Sequence, residues 1–110
     1  MIDEKIIRAR VEIRRLSVAD GGRDGALQGT FRPNHNFSGP DGSDLALGSV
    51  TLPVGKVLHP GENTEAEITF IASPTVAAEI RPGREWRIQE GRKLLAIGKI
   101  LEILPLAAET

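Results

Sequence analysis

His35 and His59 are the only imidazoles in the chain, and it has no cysteine. A catalytic imidazole needs a nucleophile or a carboxylate within hydrogen-bonding reach. His59 stands before Pro60 in a turn and His35 lies among polar residues, and neither has such a partner in its sequence neighbourhood. Ser17, Ser38, Ser43, Ser49 and Ser73 lack the elbow context that exposes a nucleophile. Asp20 with Asp24, and Asp41 with Asp44, lack the ligand series and the closing acidic residue of a calcium loop. Gly91-Arg-Lys93 is a turn followed by charge, not the Gly-x-x-x-x-Gly-Lys-Ser/Thr that cradles phosphates. The expectation is a non-enzymatic protein with no metal, no cofactor and no nucleotide bound by this chain.

The charged residues point instead to binding. Arg8, Arg10, Arg14 and Arg15 lie on or near one strand. They read as a solvated face guarding a sheet edge, with an anion or RNA patch as the alternative. Arg23, Arg32 and Arg92 converge with Glu90 if the extended segments that carry them close into one barrel, and a structural Arg32–Glu90 salt bridge accounts for that pattern equally well. The formal net charge of -1 over 110 residues argues against broad nucleic-acid binding, which goes with a strongly basic balance.

Composition sets the frame for these residues. With 40% hydrophobic and 26% charged residues, the chain reads as one globular domain spanning 1–110. The charged start Met1-Ile-Asp-Glu-Lys5 is unlike a secretory signal, and no apolar run reaches the roughly 20 residues that span a bilayer. The expected location is the cytoplasm, away from any membrane.

Glu4 to Leu16 alternates with a period of two, setting Ile7, Ala9, Val11 and Ile13 against Arg8, Arg10, Glu12 and Arg14. That is a half-buried strand. Gly29 to Phe37 is a second extended segment, in which Pro33 marks an edge, a bulge or a strand start. Leu45 to Leu52 is a third, and Val57 to Asn63 holds a Pro-Gly turn. Thr64 to Ala72 alternates again, with Ala66, Ile68 and Phe70 on one face. Val76 to Ile80 is long enough for a single helical turn. Arg84 to Leu104 is a hairpin turning at Glu90-Gly91. Six short extended segments and frequent Gly/Pro turns predict an all-β domain, a six-stranded antiparallel closed β-barrel, with a two-sheet sandwich as the alternative.

Three stretches carry a family resemblance. Asp20-Gly-Gly-Arg23 with Gly29-Thr-Phe-Arg-Pro33 resembles Glu-Gly-Gly-Arg and Gly-Tyr-Arg-Pro-Gln. Leu52-Pro with Val57-Leu-His-Pro-Gly-Glu-Asn63 resembles Leu-Pro and Val-Met-Pro-Gly-Asp-Asn. Trp86-Arg-Ile-Gln-Glu-Gly91 with Ile97-Gly98 resembles Phe-Ala-Ile-Arg-Glu-Gly-Gly and the later Ala-Gly. Order and spacing over about 11–104 are similar to the C-terminal (third) β-barrel domain of translation elongation factor Tu, here as a standalone chain without its GTPase. The resemblance implies a translation-related interaction module. Arg23, Arg32, Glu90 and Gly91 match positions that touch the tRNA backbone in that family, and Arg92 falls beside them. Gln89 replaces a family arginine, Arg92 its second glycine and Asn34 its glutamine.

The final strand adds a constraint independent of any family. Leu94, Ala96, Gly98 and Ile100 fall on one parity, and Leu95, Ile97, Leu101 and Ile103 on the other. A small barrel has one interior, so one set points outward unless a bulge reverses the facing or the loop before Gly83 covers it. Leu95, Ile97, Leu101 and Ile103 are therefore the candidate protein interface, for a separate partner or a homodimer. RNA bound through the arginine set is the alternative.

Overall fold

The structure, a computed structural model, describes residues 3–20, 25–40, 42 and 45–106. Its strands are β1 (Lys5–Arg15), β2 (Leu27–Gln28), β3 (Thr30–Phe31), β4 (Asn34–Asn36), β5 (Leu45–Thr51), β6 (Val57–Leu58), β7 (Asn63–Ala72), β8 (Glu85–Glu90) and β9 (Lys93–Leu104). One helical turn, α1 (Pro74–Ala77), follows β7. Its N-cap Ser73 accepts a hydrogen bond from the Val76 N–H at 3.3 Å, and Pro74 starts it where a missing N–H costs nothing.

All strand pairs are antiparallel, and the order β5-β4-β8-β9-β1-β7 closes through a β5–β7 pairing into a six-stranded barrel. The alternative of two separate sheets is ruled out by that closure. β3 and β4 act as one strand of the ring. Phe31 pairs with Val50 and His35 with Ala46, so the register on β5 is the same on both sides of Arg32-Pro33. The ladder lapses where Pro33 has no N–H to give. β2 pairs with β6 as a separate two-stranded ribbon, placing buried Leu27 opposite buried Leu58 at the Arg15 end of the barrel. Val76 and Ile80 are buried at the other end, beyond Ala72. No helix among the described residues is long and apolar enough to cross a membrane.

Strand alternation fills the interior as the period of two requires. Ala9, Val11 and Ile13 of β1 and Ala66, Ile68 and Phe70 of β7 are buried. Two features of β1 differ from expectation. It is not an edge, since it pairs with β7 on one side and β9 on the other. Arg15 is not a surface cation either. It continues the inward parity of Ile13, is only 2% exposed, and donates through Nη1 to the Leu58 carbonyl at 2.8 Å.

β9 resolves its own surplus of apolar residues with two bulges. Ile88 pairs with Ala96 but Gln89 with Leu94, leaving Leu95 as the extra residue; Arg10 pairs with Glu102 but Val11 with Ile100, leaving Leu101. A bulge puts consecutive side chains out of step with the pleat. Leu95 and Ala96 therefore both face the core, and the Leu95 carbonyl accepts the Leu16 N–H at 3.1 Å.

The core centres on four rings, His35, Phe37, Phe70 and Trp86. Phe37 and Trp86 stack at 5.4 Å between centroids, and Phe70 meets Trp86 edge-on at 5.5 Å. The Trp86 indole N–H donates to His35 Nδ1 at 3.1 Å, and His35 Nε2 lies 3.1 Å from the Gly48 carbonyl. A carbonyl only accepts, so the proton sits on Nε2 and the imidazole is neutral. Burial pushes the His35 pKa down to about 4, against the opposing pull of the Gly48 carbonyl. Two glycines admit the rings. A Cβ on Gly98 would overlap the indole of Trp86, and one on Gly48 would come within 2.9 Å of the Thr69 carbonyl and 3.1 Å of His35 Nε2.

Two outcomes follow. Gly98→Ala overpacks the indole and lowers stability by about 1–3 kcal/mol, read as a lower urea midpoint followed by Trp86 fluorescence. His35 binds its proton more weakly folded than unfolded, so its contribution is complete above the unfolded pKa of about 6.5 and is lost as pH falls to about 4. The full loss is roughly 3 kcal/mol. Urea midpoints between pH 7 and 5 should fall for the wild type, and this slope should flatten in His35→Gln.

Candidate functional site

The two histidines have different surroundings. His35 is sealed in the core with both ring nitrogens engaged. His59 is exposed, and it is its backbone N–H that donates to Glu62 Oε1, at 2.8 Å. Among the described residues no group of three or more His, Asp or Glu side chains is arranged to hold a metal ion. Asp24, Asp41, Asp44 and Ser43 lie outside the described residues.

The candidate polar site forms where the broken β3–β4 strand meets the β8–β9 turn. That turn is Gly91-Arg92, one residue later than the sequence suggests, because Glu90 pairs with Lys93. Gly91 has φ +58° and Arg92 does not share the positive angle, as in a two-residue hairpin with glycine at its first position. Gln89, buried beside the bulge, braces the turn. Its Nε2 donates to the Gly91 carbonyl at 3.2 Å, while its Oε1 accepts from Asn36 Nδ2 at 2.9 Å and Arg87 Nε at 3.3 Å. Asn36 in turn accepts the Ser38 N–H at 2.8 Å and donates to the Gly39 carbonyl at 2.7 Å.

Above this network lies a cleft of about 350 Å³ lined by Phe31, Arg32, Pro33, Asn34, Gln89, Glu90 and Gly91, with Leu27 at its back. The structure thus brings Arg32, Glu90 and Gly91 together at one place. Arg92 is exposed on the same turn, and Arg23 lies outside the described residues. Arg32 is exposed and makes no hydrogen bond or ion pair among the described residues. The Arg32–Glu90 bridge that the sequence allows is therefore not formed, and the guanidinium is available to an anion. Arg8 and Arg10 are already committed: Arg8 forks onto Glu67 with both bonds at 2.9 Å, and Arg10 reaches Glu65 at 2.8 Å and Glu102 at 3.1 Å.

The apolar interface expected on β9 is not an exposed patch. Leu95 is 1% exposed and belongs to the core. Ile97 is half-buried between Arg14 and Arg87 of the adjacent strands, and Leu101 is half-buried at its bulge. Ile103 is 42% exposed but pairs with Ala9, on the core-side parity at the barrel's end. The two bulges are the physical reason: each steps the strand by one residue and redistributes its apolar side chains.

An exposed apolar row does exist, on a different wall. Ile6 pairs with Ile71 and Ile71 with Leu47, so three outward side chains align across β1, β7 and β5. They are 56%, 38% and 60% exposed, and Leu45 on the same parity of β5 is 42% exposed. A groove of about 340 Å³ runs from Ile71 and Leu47 past Thr69 and Ser49 to Arg32, so Arg32 borders both clefts. The signal was in the sequence as a parity exception: Ile6 and Ile71 occupy the positions that Arg8, Arg10, Glu67 and Thr69 hold elsewhere on their strands. No protein-family model matches the chain.

Proposed function

We propose that the chain is a non-enzymatic interaction module that docks a protein partner through the outer wall around Ile6, Ile71 and Leu47. The observation that carries this reading is the alignment of three large exposed aliphatic side chains in one register row. Such contiguous patches on folded proteins mark contact surfaces, whereas scattered single residues do not. The sequence resemblance to the third domain of elongation factor Tu suggests the partner class, a translation GTPase or its exchange factor. Calorimetric titration against purified elongation factor Tu and its exchange factor is the direct test. Binding weakened at least tenfold, about 1.4 kcal/mol, by Leu47→Glu supports the reading; no heat with either protein removes that partner class.

The second reading is RNA contact by the Arg32–Glu90–Gly91 cleft, favoured by the unpaired Arg32 guanidinium beside a glycine turn that lets a sugar-phosphate strand approach. Fluorescence anisotropy with unmodified tRNA should then show affinity falling steeply with salt. Arg32→Ala should reduce the logarithmic salt slope by about one. An absence of binding in low salt sinks this reading.

A further inference from the structure

β3 pairs with β5 and with no other strand among the described residues. The Leu52 N–H donates to the Gly29 carbonyl at 2.9 Å, which makes Gly29–Leu52 a hydrogen-bonded pair. Bonded and non-bonded pairs alternate along an antiparallel ladder. Thr30–Thr51 is then a non-bonded pair, and the N–H and C=O of Thr30, and of Arg32 two residues on, turn away from β5. β4 uses that side to pair with β8, from Asn34–Gln89 to Asn36–Arg87. β8 ends at the Gly91 turn, so no strand is left to meet Arg32 and Thr30. Pro33 does not blunt this edge. It lies on the parity that faces β5, so its missing N–H interrupts the inner ladder and leaves the outer one intact.

We propose that the cleft beside this edge binds an extended acidic peptide, which adds to β3 as a further strand. Gly29, Thr30 and Arg32 are exposed, and an open edge presents N–H and C=O groups that an extended chain satisfies rung by rung. The peptide residue opposite Arg32 shares its outward face, where a carboxylate forks onto a guanidinium that has no ion pair among the described residues. The exposed Arg92 of the facing turn adds to the positive charge. The next peptide residue, opposite Phe31, points inward and is apolar, since Leu27, Phe31 and Pro33 line the cleft there. The Thr30 and Arg32 carbonyls favour this occupant over RNA in the same cleft. They need donors, which a peptide backbone carries at strand spacing, whereas phosphate oxygens only accept. The proposal is independent of the Ile6–Ile71–Leu47 wall and excludes the RNA reading at this cleft.

The test is a titration of the isotope-labelled chain with the synthetic peptide acetyl-Glu-Val-Glu-Val-Glu-amide, followed by amide NMR. The Thr30 and Arg32 amides should shift with a Kd of about 0.1–1 mM, the weak end of the affinity scale expected of two rungs. Their hydrogen exchange should slow at least fivefold at saturation. Arg32→Ala, an exposed position, should weaken binding about threefold, the scale of one exposed ion pair. In the proposed register the glutamate N–H groups face β3 and the valine N–H groups face away. Methylating the glutamate nitrogens should therefore weaken binding at least tenfold more than methylating the valine nitrogens. A lysine-for-glutamate peptide should bind at least tenfold more weakly than the parent. Equal binding by the two methylated peptides would show charge attraction without strand addition and overturn the proposal. So would undiminished binding of the lysine peptide, or unmodified tRNA shifting Thr30 and Arg32 where the acidic peptide does not.

Discussion

The barrel depends on one hydrogen-bonded bridge: the indole of Trp86 on β8, the imidazole of His35 on β4 and the carbonyl of Gly48 on β5. It links three consecutive strands through side chains where the β4–β5 ladder is interrupted by Pro33. Each end of the bridge needs a missing side chain, Gly48 beneath the imidazole and Gly98 beneath the indole. A neutral, doubly bonded histidine is inexpensive to bury, whereas a charged one is not. This makes the core sensitive to acid through a residue that is sealed from solvent.

The outer wall is organised by register. Pairing Arg8 with Thr69, Arg10 with Glu67 and Glu12 with Glu65 leaves the arginines diagonal to the glutamates they bond, and Glu102 completes the cluster from β9. These exposed pairs contribute little stability individually. Their consequence is to engage Arg8 and Arg10 on β1, whereas Arg32 on the broken strand makes no ion pair among the described residues and borders the cleft. Where the same parity carries Ile6, Ile71 and Leu47 instead, the wall changes from charged to apolar.

Much of the fold was legible because alternation reports facing. Ala9, Val11, Ile13, Ala66, Ile68 and Phe70 are buried as their period of two requires, and the Gly91 turn and the helical turn α1 fall within a few residues of their expected places. The convergence of Arg32 with Glu90 and Gly91 was also anticipated, although their suggested ion pair is absent. What alternation could not show was the pair of bulges in β9. A bulge depends on the partner strands: the Leu95 carbonyl is satisfied by Leu16, and the Leu101 step accommodates the shift between Arg10 and Val11. For that reason Leu95 belongs to the core and Ile97 and Leu101 are half-buried, while only Ile103 of the four is exposed.

By itself, then, the sequence determined which residues of each strand face inward, where the chain turns, and that no nucleotide-cradling motif or cysteine is present. Those properties are local, set by side-chain polarity, glycine and proline. The tertiary structure alone decided that Ile6, Ile71 and Leu47 are neighbours, that Arg15 is buried against Leu58 while Arg32 stays open, and that His35 is a core residue. These depend on which strands pair and in what register, and a shift of one residue would turn every one of those side chains to the opposite face.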